Sequence, residues 1–537
     1  MKNAPSTAEA LIEGLTAYGV DTVFGIPGVH TLQLYDAMAR SRIRHVGIRH
    51  EQGGVFMADG YARATGKPGV ACLITGPGLL NAATAIGQAY SDSVPVLVLT
   101  TLNPMDGGGL SRGRLHEIGD QRAAIAPVAR LVRTVHSPEE VDEVLAASFR
   151  HLTLERPRPI VLQVPLDVAE RRGGHGALAR KPASRPHPDP AQVRQAAELI
   201  ASARLPVAVL GGGCVDVAEA ALSFVEKSGC IVLTTTAGKG VLPQDHGCHV
   251  GSLLASPESH ALLAEADVVV AIGTELAETD HWAGKLDIPG KIIRVDLDPD
   301  QLDRDYPAAI AMMADAAAVL PALTAALPAG RPWHTRRVAH IRKTHQDALK
   351  PIERKHAKVL TALREALPAE GMVFSDMTMI AYTGNMLFRT DHPRTWFHPA
   401  GFGTLGYALP AAIGAKLACP DRPVVALIGD GGIQFTLAEL GTAREENLPL
   451  AVLLWNNRSL GQIALGMRQR NIQELAVHPF TPNFADIARA YDCRHIQPAS
   501  TDELRDALAQ AATATGPTII EVFEDDAWLE AGCQPDS

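Results

Sequence analysis

Nowhere does the 537-residue sequence hold the roughly 18 consecutive apolar residues that a membrane span needs. Its N-terminal stretch also has no apolar signal-peptide core. Secretion and membrane insertion are therefore not expected, and a cytoplasmic location is. A basic excess is missing too: 49 Lys and Arg stand against 59 Asp and Glu, a net charge of −10. That sign does not suit a phosphate backbone, so no nucleic-acid partner is expected. The seven cysteines contain no CxxC pair and total an odd number, which predicts reduced thiols in or near cores. Disorder is excluded by composition, at 46% hydrophobic and 20% charged residues.

What the chain has is length and repetition. At roughly 150 residues per domain it has room for about three. A Gly/Ala/Pro-rich stretch from Gly173 to Pro190 reads as a linker, and prolines bracket a basic, helix-like segment from Leu327 to Pro351. The pieces are 1–175, 190–327 and 351–537. Each alternates apolar runs with helical patterns, so the expected fold class is α/β, with three doubly wound parallel-sheet domains. A shift of 354 residues lays Val70, Leu73, Ile74, Gly78, Ala89, Pro95, Val98 and Leu99 on Val424, Leu427, Ile428, Gly432, Ala443, Pro449, Val452 and Leu453. The first and third pieces thus read as copies of one strand–helix–strand unit.

The most informative motif lies in the third piece. The apolar run Val424–Ile428 reads as a buried parallel strand and ends in Gly429-Asp430-Gly431. A second run, Leu448 to Trp455, ends in Asn456-Asn457, which follow Gly431 after 24 intervening residues. If the two strands are neighbours, a carboxylate and an amide oxygen meet where open α/β sheets bind ligands. Such hard oxygen donors suit Mg²⁺ holding a diphosphate. An ordinary glycine-rich turn would explain Gly-Asp-Gly alone, but not the asparagines in register with it.

With this spacing the chain resembles the thiamine-diphosphate enzymes. The resemblance implies a pyrimidine-binding first domain, a Rossmann-like central domain and a diphosphate-binding last domain. It assigns Mg²⁺ to Asp430, Asn457 and the carbonyl of Ser459. Gly429 belongs to the same cofactor turn, and Gly431, Gly432 and Ile433 would open a helix whose free N–H groups favour the diphosphate. Thr378 and Met379, in the run from Ser375, would contact that diphosphate. In the first copy Gly76 stands where the third has Asp430, so only the last domain can supply this metal ligand.

Within Arg49–Ala62 the resemblance identifies Glu51 as the glutamate that shares a proton with N1′ of the aminopyrimidine. That favours the imino tautomer, whose N4′ can deprotonate thiazolium C2. In Gly401–Gly414, Gly403 would offer its carbonyl to the 4′-amino group, and Leu405 would wedge the two rings into a V. Pro77 and Asn81 would line the pyrimidine pocket, with Gly28 in the loop Pro27–His30. Glu51 and Asp430 lie in different domains, and the family places that interface between subunits. A homodimer or homotetramer is therefore expected.

Enzymes of this layout remove CO₂ from a 2-oxo acid and differ in the second half of the reaction. Uptake of a proton gives an aldehyde; uptake of a second 2-oxo acid gives an acetohydroxy acid. Phe24–Gly28 and Gly401–Gly414 first suggest acetolactate synthases, but three departures count against them. The central loops read Thr236–Gly240 and Leu276–Asp280 instead of flavin-contacting sequences, and Gly211–Gly213 is weak support for a dinucleotide. Leu115-His116 replaces a phenylalanine–glutamine pair, and the first glycine-rich loop has become Pro27-Gly28-Val29-His30. The combined pattern resembles 5-guanidino-2-oxopentanoate (2-ketoarginine) decarboxylases. His116 and His30 are the candidate proton carriers, since imidazole titrates near neutrality. Binding a guanidinium would need carboxylates or carbonyls, from Glu117, Asp120, Asp106 or the segment Gln462–Met467.

Overall fold

A computed structural model describes residues 4–105, 112–173, 179–180, 183–328 and 330–530. Three six-stranded sheets are present, and every pairing within them is parallel. The first sheet contains β1 (Thr22–Gly25), β2 (Arg44–Gly47), β3 (Gly69–Leu73), β4 (Val96–Leu102), β5 (Leu131–Thr134) and β6 (Ile160–Pro165), ordered β2-β1-β3-β4-β6-β5. The central sheet holds β7 (Pro206–Leu210), β8 (Ile231–Thr234), β9 (His249–Gly251), β10 (Val268–Ile272), β11 (Lys291–Asp296) and β12 (Ile310–Met313), ordered β12-β11-β10-β7-β8-β9. In the third, β13 (Met372–Ser375), β14 (Trp396–Phe397), β15 (Val424–Gly429), β16 (Ala451–Asn456), β17 (Arg494–Ile496) and β18 (Thr518–Phe523) run β14-β13-β15-β16-β18-β17. Helices cover both faces, as parallel strands that are buried on both sides require.

The internal repeat is real at the level of topology, because the first and third orders are the same sequence of crossovers. The register differs by one residue: Ala71 pairs with Val98, whereas Val425 pairs with Ala451. A single shift of 354 residues therefore matches the first strand of each unit and misses the second strand's partner by one.

The central domain packs its own core, from Val193 and Ala196 to Leu323 and Leu327. Val338 and Ile341, on the helix Thr335–Asp347, join its other layer, so the packing of this domain runs past residue 327. The first and third domains instead share one core, in which Phe24, Phe56 and Leu79 sit with Phe374, Tyr407 and Val452. Its centre is the crossing of the helices Glu51–Thr65 and Ala408–Ala418. A Cβ on Gly60 would lie 1.9 Å from the Ala411 carbonyl, and one on Gly414 1.9 Å from that of Met57. Only glycine permits backbones this close.

A buried polar network fastens the same interface. Asp59 accepts from Arg63 Nε at 2.7 Å and from the Tyr407 hydroxyl at 2.7 Å, and Arg63 reaches Asp92 at 2.6 Å. Asp92 accepts from Gly401 N at 2.7 Å, and Gln88 accepts from Thr404 N and Oγ1 at 3.2 and 2.9 Å. The loop that carries Gly403 and Leu405 is thus tied to the first domain. Cys72, Cys214, Cys230 and Cys248 are buried, and no disulfide occurs among the described residues; Cys533 lies outside them. No helix among the described residues is long and apolar enough to cross a membrane.

Candidate active site

Two clusters of the sequence-predicted residues form, one at the C-terminal ends of the strands in each outer sheet. In the third domain β15 and β16 are neighbours, and Gly429 pairs with Trp455. Asp430 and Asn457 therefore follow adjacent strands. Asp430 is 2% exposed and accepts from Thr481 Oγ1 at 3.1 Å. Burial pushes its carboxyl above the ordinary carboxylate range, while Thr481 and the backbone N–H of Asn457 oppose this. No lysine, arginine or histidine pairs with it among the described residues. A buried carboxylate without a counter-charge is what a divalent cation would neutralise.

The asparagines divide their work. Asn456 is spent on structure, donating to Glu521 Oε1 at 2.7 Å. Asn457 Oδ1 accepts from Ser459 N at 3.2 Å, which folds 457–459 into a tight turn. The set contains only one carboxylate, and no group of three or more His, Cys, Asp or Glu suited to a metal occurs among the described residues. Ligation would therefore rest on Asp430 with neutral oxygens of Asn457 and Ser459. This donor mixture fits Mg²⁺, which binds through one or two carboxylates and takes its remaining oxygens from phosphate and water.

The glycines beside Asp430 form a cradle without room for side chains. A Cβ on Gly429 would stand 2.9 Å from Thr378 Oγ1, one on Gly431 3.2 Å from Leu460, and one on Gly432 2.9 Å from Asp376 Oδ1. Met379 joins through Gly461, whose Cβ would meet its Cγ at 3.3 Å. Gly431, Gly432 and Ile433 do lie in a helix, but a short one. The helix after Asp430 is a single turn, Asp430–Ile433, which begins one residue early. Four residues cannot sum a macrodipole, so any help to a diphosphate comes from local N–H groups.

Sequence reasoning also missed the job of Asp376. Its buried carboxylate accepts from Met377 N, Gly406 N and Ala408 N at 2.9, 3.2 and 3.0 Å, and burial pushes it up to about 6. It thereby holds the loop 403–408 against the cradle. Gly403 and Gly406 have φ +65° and +80°, which side-chain-bearing residues rarely adopt. Leu405 is half-buried and belongs to none of the core clusters.

In the first domain, Glu51 opens the helix Glu51–Thr65, and its Oε2 accepts from Asn81 Nδ2 at 2.9 Å. Gly78, next to Pro77, lies so near that its Cβ would stand 3.3 Å from Glu51 Oε1. Gly76, with φ +67°, packs on His116, whose carbonyl a Cβ would meet at 2.4 Å. His116, itself at φ +59°, meets His30 edge to face, with ring centroids 5.2 Å apart. His30 Nδ1 is buried and has no hydrogen-bond partner. Burial first, and His116 second, hold His30 below the usual imidazole range. Gly28, two residues away, is pressed on Ile74, which its Cβ would meet at 2.4 Å.

Gln121 supports this cluster from beneath. Its Oε1 accepts from Thr75 Oγ1 and Gly76 N at 2.7 Å each, and its Nε2 donates to Thr101 O and Gln163 Oε1 at 3.0 and 2.9 Å. Of the guanidinium candidates, Asp120 caps a helix at Ala123 N, and Glu117 accepts from the N–H groups of Arg112 and Arg114. Asp106 lies outside the described residues. Gln462–Met467 are on the helix Gly461–Gln469. Among the described residues, no hydrogen bond or ion pair joins Glu51, His30 or His116 to Asp430, Asn457 or Ser459.

A separate cleft of about 690 Å³ opens at the strand ends of the central sheet, lined by Gly212, Thr236, Asp280 and Asp296 among others. It contains none of the predicted site residues. Gly213 and Gly273 there are demanded by packing: a Cβ on Gly213 would lie 2.7 Å from the Gly273 Cα. They therefore do not by themselves point to a nucleotide.

Two outer α/β domains, one with a one-carboxylate cradle and the other with a glutamate held by Asn81, carry the candidate residues in two clusters. Comparison with known proteins gives the family. Residues 5–124 match the thiamine pyrophosphate enzyme N-terminal TPP binding domain, 193–323 the central domain, and 376–522 the C-terminal TPP binding domain. The chain belongs to the thiamine pyrophosphate enzymes. It is 46% identical over 524 residues to the "Probable 2-ketoarginine decarboxylase AruI" of Pseudomonas aeruginosa, covering 96% of this chain and 94% of that protein. It is 32% identical over 549 residues to an acetolactate synthase of Mycobacterium bovis, covering 96% of this chain and 87% of the relative. The "Probable acetolactate synthase large subunit" of Methanocaldococcus jannaschii is 31% identical over 552 residues, 97% of this chain and 92% of its own.

Proposed function

We propose that the substrate is 5-guanidino-2-oxopentanoate, converted without oxidation to 4-guanidinobutanal and CO₂, with Mg²⁺ holding the cofactor diphosphate. The chain is a thiamine-diphosphate-dependent 2-oxo acid decarboxylase. When bound, thiamine diphosphate supplies a nucleophilic carbon and a sink for the electron pair left by CO₂. The protein must orient that cofactor, exclude water and move protons. In this reading Asp430, Asn457 and the Ser459 carbonyl hold the metal. Gly429, Gly431, Gly432, Ile433, Thr378 and Met379 enclose the diphosphate. Gly403 and Leu405 shape the cofactor, and Glu51 shares its proton with the pyrimidine beside Pro77, Asn81 and Gly28.

One observation carries the reaction type: His30 and His116 stand together, and His116 packs on Gly76, two residues before the Gly78 that faces Glu51. Aldehyde formation needs one proton delivered to carbon, a transfer that paired imidazoles can perform; burial holds His30 below the usual imidazole range. The guanidino substrate is supported by the relative named for 2-ketoarginine, at 46% identity.

The two clusters would close on each other across a subunit interface, in a cytoplasmic homodimer or homotetramer. Apolar side chains support this. Val29 and Leu115 adjoin the histidines in sequence at 61% and 59% exposure, and Phe480 adjoins Thr481 at 85%. Such rims belong against a partner. The test is CO₂ release with Mg²⁺ and thiamine diphosphate across pyruvate, branched-chain, aromatic and guanidino-bearing 2-oxo acids. Preference for the guanidino acid is expected. Acetolactate from pyruvate, with no turnover of 2-ketoarginine, would establish the synthase alternative instead.

A further inference from the structure

We infer that Glu439 is a positioning residue for this reaction: from the third domain it fixes the start of the helix that presents Glu51. This rests on the catalytic reading of Glu51. Glu439 is 0% exposed. Its Oε1 accepts from His50 N at 3.0 Å and Arg49 N at 3.1 Å; its Oε2 accepts from Thr442 Oγ1 at 2.7 Å. A Cβ on Gly53 would stand 2.3 Å from Oε1, so the first helical turn is pressed directly onto the carboxylate. No cationic side chain pairs with Glu439 among the described residues; the Arg49 guanidinium turns instead to Glu445 at 2.6 Å.

A buried, unpaired carboxylate is costly and disfavours its charged form, as the upward push on its pKa reflects. Mere adhesion between the domains does not require it, because the helix crossing at Gly60 and the Asp59–Arg63–Asp92 network already supply that. What Glu439 adds is local. It grips the two residues immediately before Glu51, while Asn81 grips the Glu51 side chain. Glu439 also lies nine residues beyond Asp430, on the segment that leaves the proposed metal ligand. The backbone of one half-site is thus anchored to the scaffold of the other.

Catalytic geometry is sensitive: a misplacement of about 1 Å can cost on the order of 100-fold in rate. In the full-length enzyme with thiamine diphosphate and Mg²⁺, Glu439→Ala should lower kcat by about 100-fold while KM and cofactor affinity change less than about threefold. In cofactor-free protein the amides of Arg49 and His50 should lose their hydrogen-exchange protection. Glu439→Gln keeps an oxygen that can accept both N–H groups. It should restore kcat to within about threefold of wild type and keep the protection. Wild-type turnover in Glu439→Ala, or lost protection without loss of kcat, would overturn the inference. So would a Glu439→Gln as inactive as Glu439→Ala while its amides stay protected. If Glu439→Ala does not fold, Thr442→Val decides: it removes the hydroxyl's bonds to Oε2 and to the Gly47 carbonyl, leaves the Arg49 and His50 amides on the carboxylate, and should lower kcat about two- to fivefold with the fold retained. Unchanged kcat in that variant overturns the inference equally. A fully active Glu51→Gln would instead sink the proposed function and leave the amide protection standing.

Discussion

The first and third domains share one strand order and carry opposite equipment. Residues 76 and 430 occupy the same place in the repeat, after β3 and β15, yet their backbones differ. Asp430 starts a helical turn, whereas Gly76 takes φ +67° and ψ −108° and packs on the His116 carbonyl. A carboxylate at 76 is thus barred by geometry. Duplication of a fold does not duplicate a site when one copy spends the key position on a backbone contact. The copy with Gly76 uses that contact to seat His116 beside His30.

The sharpest way to break this comparison is to disable each copy in turn. Glu51→Gln should keep cofactor bound and lower turnover by about 10²–10⁴-fold; undiminished turnover would remove Glu51 from the mechanism. Asp430→Ala should do the reverse, abolishing Mg²⁺-dependent cofactor retention in a titration of the purified protein. A variant that held cofactor normally would refute the metal assignment. Asp59→Ala, which strips Arg63 of one of its two carboxylate partners and the Tyr407 hydroxyl of its acceptor where the two copies meet, should destabilise by about 3 kcal/mol. A melting temperature within a degree of wild type would show the network to be idle.

Gly76→Ala tests the asymmetry itself. The forced conformation and the clash should cost about 1–3 kcal/mol without creating a metal site; a neutral substitution would leave the different backbone unexplained. The smallest effect concerns His30. Because its folded pKa is depressed, it adds stability that is present above its ordinary 6.5 and lost as pH falls through the lowered value. His116→Asn removes one of the two causes, so the His30 titration followed by NMR should move up toward 6.5. An unmoved titration would mean that burial alone accounts for the shift.

Sequence patterns reached far in this molecule where the physics is local. Apolar runs predicted the parallel sheets, and the Gly-Asp-Gly and Asn-Asn spacing placed Asp430 beside Asn457, as the pairing of β15 with β16 requires. The one-turn length of the helix after Asp430 escaped, because nothing in its own residues ends it: Phe435 and Thr436 are turned against Gly406 by tertiary packing. Asp376 and Glu439 escaped for the same reason. Each is an acid in an unremarkable stretch whose partners, Ala408 and His50, lie 32 and 389 residues away.

The sequence by itself therefore determined the family, the three-domain parallel architecture and the chemical types gathered at the two strand ends. Those features arise from short-range periodicity and from donor chemistry that a few side chains can express alone. The tertiary structure decided which copy could hold a carboxylate, how close Gly60 and Gly414 bring the helices, and which buried acids hold the loops in place. Such outcomes depend on backbones meeting at van der Waals distance across hundreds of residues, and no local pattern encodes that approach.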